Sequence, residues 1–179
     1  MNQMSEFIKE SMADDGDNVR ESTSKVIALD NNSDCDYISS YSHFGIHHVM
    51  LSDKPRTLAY KDAIVENADM FKGKTVLDIG CGTSILSLFA AQAGAKLVVA
   101  VDHSDIIFNA MDIVRVNGFE KVIKPAKGKL ESIQFESLNL PTKYDLIISE
   151  WMGYFLLFEG MLDAVIYARD NLMKEDEGK

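Results

Sequence analysis

Cysteine is nearly absent: Cys35 and Cys81 are the two in 179 residues. Two thiols build neither a disulfide framework nor a cysteine zinc site, and such sparing use suits a reducing compartment. Basic residues are also scarce, 18 Lys and Arg against 28 Asp and Glu, for a formal net charge of −10. A protein that binds the phosphate backbone needs the opposite sign, so direct nucleic-acid binding is disfavoured and a cationic partner favoured. No apolar run approaches the ~20 residues that a membrane span requires. The first residues, MNQMSEFIKESMADD, lack the charged-then-apolar pattern of an export signal. The Asn31-Asn32-Ser33 sequon therefore reads as chance.

What is present suits one globular domain: 46% of residues are hydrophobic and 26% charged. Residues 1–36 hold nine acids and three bases. That composition predicts a disordered acidic tail or linker over residues 1–35, because its few apolar groups cannot offset the entropy of ordering. From residue 36 onward the pattern is that of a folded domain. Ser52 or Asp53 caps a helix from Lys54 to about Asn67. Strands follow at Thr75–Ile79, Leu97–Val101, from Val122-Ile123, and at Tyr144–Ser149. Helices over Ile85–Ala93 (closed by Gly94), Asp105–Asn117 (capped by Ser104) and Met161–Met173 separate them. Alternating all-apolar strands and helices predict an α/β fold with a doubly wound parallel sheet. The chain ends where another strand is expected, which predicts an unfinished sheet with an exposed apolar edge at Tyr144–Ser149.

The turn after the first strand reads Asp78-Ile79-Gly80-Cys81-Gly82-Thr83. In open α/β sheets ligands bind at the carboxyl ends of the strands, where glycines let the backbone approach. A nucleoside triphosphate is rejected: Gly73-Lys74-Thr75 copies the end of a P-loop, but residue 68 is Ala and a strand follows. A dinucleotide is weakened because Ile85 stands where a third glycine is wanted. S-adenosyl-L-methionine, whose enzymes use a shorter acidic-x-Gly-x-Gly turn, is the remaining class. Asp102, after the second strand, is placed to accept ribose hydroxyls under either of the last two readings.

A second segment, Ser149 to Glu159, sets Glu150 and Glu159 around eight residues, seven of them large and apolar. Partly desolvated carboxylates call for a cation, and a planar guanidinium suits two of them best. An ordinary loop with two surface glutamates and a glycosidase-type acid/base pair are the alternatives. His43 and His47 are spaced i, i+4, but no third ligand accompanies them and no metal is assigned.

These segments, with Tyr41-Ser42-His43-Phe44-Gly45-Ile46-His47, Met50-Leu51 and Arg56, closely resemble the protein arginine N-methyltransferases over about residues 37–174. The phrasing around Glu150 and in Ala110-Met111-Asp112-Ile113-Val114-Arg115 looks most like the branch whose complete members carry a zinc finger and methylate a ribosomal protein. The resemblance implies a Rossmann-like class I methyltransferase fold over residues 36–179, using S-adenosyl-L-methionine on arginine-containing protein substrates in cytoplasm or nucleus. By it, Arg56 pairs with the methionyl carboxylate and His47 lines that end. Asp78, Gly80, Cys81 and Gly82 shape the methionyl and ribose pocket, and Asp102 holds the ribose. Within residues 127–131, Leu130 and Glu131 lie by the adenine, Met50 and Met161 pack about the cofactor, and Glu150 and Glu159 grip the substrate guanidinium. The resemblance also implies a lid helix carrying Tyr37 and Tyr41.

Departures from the family pattern are Ser84 for a glycine, which is expected to add a side chain beside the cofactor, His48-Val49 for an acidic pair, and Gly160 for a serine. The family's β-barrel, with its histidine for proton removal, its dimerisation arm and the zinc finger have no counterpart here. The expectation is thus a cofactor-domain portion, truncated before the barrel, of an enzyme that is a homodimer when complete. A catalytically silent binding fragment and a small-molecule methyltransferase are the other readings.

Overall fold

The computed structural model describes residues 41–153 and 161–175. The expectations for the acidic tail, Cys35, Tyr37, Gly160 and Glu159 lie outside them. Four parallel strands form one sheet in the order β3-β2-β1-β4, with β1 at Thr75–Ile79, β2 at Leu97–Asp102, β3 at Ile123–Lys127 and β4 at Leu146–Ser149. Helices α1 (Phe44–Ser52), α2 (Lys54–Val65) and α3 (Ala68–Phe71) precede β1. Helices α4 (Ile85–Gln92), α5 (Ile106–Val116) and α6 (Leu162–Leu172) follow β1, β2 and β4, and short 3₁₀ turns follow β3.

The period-2 alternation of the strands divides the core into two layers. Val76, Val98 and Ala100 pack with residues of α2 to α5, while Leu77, Ile79, Val99 and Val101 pack with Leu130, Phe135 and α6. Both faces are covered, so the central strands carry no solvent-facing side: the sheet is doubly wound and the fold Rossmann-like. Among the described residues no helix is long and apolar enough to cross a membrane.

The two edges differ. On β3, Lys124 and Lys127 are exposed and Pro125 lacks an N–H, which blunts that edge. At the other edge the sequence predicts a strand from Tyr144, but the β4 ladder begins at Leu146. Tyr144 turns instead toward the chain leaving α6: its N–H donates to the Leu172 carbonyl (2.8 Å) and its carbonyl accepts from Lys174 N–H (2.9 Å). The segment after α6 thus starts a parallel pairing, and Leu146–Ser149 is half-buried.

Asp145 fastens this corner. Its carboxylate accepts from the N–H and hydroxyl of Thr75, both at 2.7 Å, and from Lys174 Nζ at 2.9 Å. Partial burial pushes its pKa up, but these donors outweigh it and hold the carboxyl well below the ordinary value of 3.8. A depressed folded-state pKa adds stability above the unfolded value, and that stability is lost as pH falls below about 4. Asp145→Asn is therefore expected to cost about 1–3 kcal/mol at neutral pH. In urea denaturation the gap from the parent chain should narrow as the buffer is acidified; a gap independent of pH would refute the ionic origin.

Candidate active site

The carboxyl ends of β1, β2 and β4, the N-termini of α4 and α6, and one face of α1 and α2 enclose a cavity of about 670 Å³. That is the size of a cofactor pocket. It lies where open parallel sheets bind ligands. His47, Met50, Arg56, Asp78, Gly80, Cys81, Gly82, Asp102, Leu130, Glu131, Glu150 and Met161 all line it. Glu159 lies outside the described residues.

The glycine turn is held open by its neighbours. Gly80 and Gly82 have φ of +66° and +53°, the left-handed region that favours glycine. A Cβ on Gly80 would stand 2.5 Å from the Met161 methyl, and one on Gly82 would stand 3.0 Å from the His47 ring. The cradle therefore presents backbone with nothing projecting from it. His47 is buried, and its Nε2 donates to the Tyr41 carbonyl at 2.8 Å.

Two aspartates flank the turn in different hydrogen-bonding surroundings. Asp78 is buried, and one oxygen accepts from Ser87 Oγ at 2.6 Å. The other, Oδ1, has no hydrogen-bond partner among the described residues. Burial, with Asp102 nearby and opposed by the Ser87 bond, pushes its pKa up to about 7. An orphaned, buried carboxylate oxygen at a cavity wall suits a cationic ligand group. Burial, followed by Asp78 and Asp102, also drives the Cys81 thiol far above its ordinary range, which disfavours the thiolate.

Asp102 accepts from Gly82 N–H (2.8 Å), Ser104 N–H (2.8 Å) and Ser104 Oγ (2.7 Å). Three of its roughly four lone-pair sites are thereby taken, and the one left, on Oδ2, is fixed in direction and can accept a ribose hydroxyl. Ser104 was expected to cap α5. Its hydroxyl orients Asp102 instead, and Asp105 holds the cap position without a side-chain bond.

The far end of the cavity carries an ion pair. Arg56 Nη2 contacts Glu150 Oε2, Arg56 Nη1 donates to the Met50 carbonyl at 3.2 Å, and Asp53 caps α2 through the Arg56 N–H at 3.3 Å. Tyr60, one turn after Arg56, lines the same space. Burial, and then the Glu150 charge, raise its pKa against the opposing pull of Arg56.

Ser84 departs from its expected place. It does not line the cavity; it is fully buried, at φ +66°, and among the described residues its hydroxyl faces no stronger partner than the weakly bonding Cys81 thiol. A serine there bears both left-handed strain and the desolvation of a hydroxyl. Ser84→Gly is expected to stabilise the chain by about 1–2 kcal/mol, read as a higher urea midpoint at unchanged slope. A lower midpoint would show that the hydroxyl is bonded in solution. His48 and Val49 are exposed on α1, outside the cavity lining.

Sequence reasoning missed Tyr60, Ser104, His103 and Asp163 among the lining residues. The i, i+4 spacing of Tyr60 from Arg56 on one helix was the available signal for the first.

The family model for ribosomal protein L11 methyltransferase (PrmA) matches residues 62–154, the core that holds the glycine turn. Over 138 residues, 76% of this chain and 39% of the relative, the sequence is 56% identical to protein arginine N-methyltransferase 1 of Dictyostelium discoideum. The chain belongs to the protein arginine N-methyltransferase family. The fold is similar to that of the Trypanosoma brucei protein arginine methyltransferase 1 enzyme–prozyme heterotetramer with S-adenosylhomocysteine. That match has a TM-score of 0.71 and 57% identity, over 76% of this chain and 41% of the other. It is also similar to protein arginine methyltransferase 10 of Arabidopsis thaliana, with a TM-score of 0.71 and 44% identity over 75% and 37% of the two chains. The chain spans about 39% of the length of the first of these relatives.

Proposed function

We propose that this chain supplies the S-adenosyl-L-methionine site and the Glu150 half of the guanidinium site of a protein arginine N-methyltransferase. The single observation that supports the reading best is Glu150: a carboxylate at the rim of the glycine-turn cavity already in contact with a guanidinium, that of Arg56. The residues fit the cofactor end to end. Arg56 offers donors to a carboxylate, Asp78 Oδ1 a buried acceptor to a cation, and Asp102 Oδ2 an acceptor to a ribose hydroxyl. When bound, the cofactor supplies a methyl group on a sulfonium centre.

The chain's carboxylates address the difficulty of that chemistry, in which one cation must approach another. Glu150, with Glu159 as its proposed partner, offsets the repulsion, polarises the guanidinium and fixes its plane. Planarity and multiple donors favour arginine over lysine. Asymmetric dimethylation, an arginine-bearing protein substrate, a homodimeric whole enzyme and a cytoplasmic or nuclear setting belong to the same proposal. Residues 36–179 as one cofactor domain, preceded by a tail, complete it. The zinc-finger branch rests on motif phrasing alone, since the relatives compared above carry other branch names.

Calorimetric titration of S-adenosylmethionine into the 179-residue chain is the direct test. Saturable one-site binding with methyl transfer to an arginine-rich peptide supports an enzyme. Binding without transfer supports the silent module, and no binding sinks the cofactor assignment.

A further inference from the structure

Arg56 sits on the carboxylate to which the proposed function assigns the substrate. Its Nη2 reaches Glu150 Oε2 and, more weakly, the Met50 sulfur at 3.8 Å, while Nη1 donates to the Met50 carbonyl. The side chains of Arg56 and Glu150 are only 31% and 24% exposed, so neither charge is well served by solvent once separated. Both line one cavity with Tyr60, at the next turn of α2, whose pKa is raised by burial and then by Glu150, against the pull of Arg56.

A guanidinium on Glu150 is chemically a copy of the substrate group. We infer that the Arg56–Glu150 pair is an intramolecular substrate mimic that makes guanidinium binding conditional on an anion reaching Arg56 from the cofactor end of the cavity. The inference rests on the proposed role of Glu150 and goes beyond it by setting the order of binding. While Glu150 is neutralised by Arg56, an incoming guanidinium must displace a cation already in place. A carboxylate that draws on Arg56 returns the negative charge of Glu150 to the cavity. The two ligands therefore bind with positive coupling, reciprocal by linkage. Adenosine-end contacts do not enter, because Asp102 and Leu130 are not partners of Arg56.

The test uses the full chain and a fluorescent arginine-rich peptide, titrated alone, with saturating S-adenosylhomocysteine, and with 5′-methylthioadenosine. The last two share a nucleoside and a thioether, and only the first carries the amino-acid carboxylate. Its ammonium repels a guanidinium, so any gain belongs to the carboxylate. S-adenosylhomocysteine is expected to tighten peptide binding about tenfold, and methylthioadenosine less than about twofold. Arg56→Gln should bind peptide tightly without nucleoside and lose the coupling. Equal effects of the two thioethers, no effect of either, or coupling retained in Arg56→Gln would overturn the inference. The wild-type comparison stands even where the variant folds poorly. A Glu150→Gln chain that binds peptide as the parent does overturns the assignment of Glu150 itself. Loss of peptide binding in that variant, alongside an uncoupled wild type, overturns only the ordering. Absence of peptide binding under every condition overturns both.

Discussion

Asp78→Asn is expected to weaken S-adenosylmethionine binding by about 10- to 100-fold at pH 8, the loss of one buried charge-assisted contact. The same substitution should make the ligand-free chain more resistant to urea. Both follow from a buried carboxylate with one unpartnered oxygen and a pKa near 7. Its folded value lies above its ordinary 3.8, so the folded chain holds a proton that the unfolded chain has released. Stability therefore falls as pH rises from about 4 to about 7, by up to a few kcal/mol, and levels off above. Asn removes that slope.

Cofactor binding runs the other way. A cationic ligand group selects ionised Asp78, so affinity should rise up to about tenfold per pH unit below 7 and then flatten. Calorimetry at stepped pH, with urea melts of both chains, checks the pair of slopes. A parent chain whose stability is flat between pH 4 and 7 would dismiss the account of Asp78.

Glu150→Gln carries the second large effect. In a protein of the relatives' full length that includes this chain, turnover on an arginine peptide should fall by on the order of 100-fold or more. Cofactor affinity should hold within about threefold or tighten, because the change also frees Arg56 from its ion pair. A fall in cofactor affinity matching the fall in turnover would mean that Glu150 shapes the cofactor pocket and does not hold substrate.

Much of this arrangement could be read from residues alone where a single physical requirement acts. Thr75–Ile79 and Leu97–Asp102 are apolar enough that only coverage on both faces suits them, and Gly94 ends α4 as its conformation demands. The glycine turn and Asp102 were legible because a strand end, a bare backbone and an acid recur in a fixed order. Where two outcomes compete for one side chain, the sequence was silent or misleading. Ser104 can cap a helix or orient an aspartate, and its spacing permits both; the fold chose Asp102. Ser84 next to a cavity-lining threonine gives no sign that the left-handed turn aims it inward. Helix α1 escaped because its exposed face carries Phe44, His48 and Val49, which blurs any amphipathic period. The contact of Arg56 with Glu150 spans 94 positions, and nothing local announces it.

The unlike margins of the sheet have a consequence for how polypeptide can be added to it. Lysines and a proline close the β3 border, whereas beside β4 the backbone at Tyr144 already clasps a neighbour running the same way. Enlargement is thus one-sided and direction-bound. The neighbour that lies beside β4 reaches that border by travelling back across a face through α6.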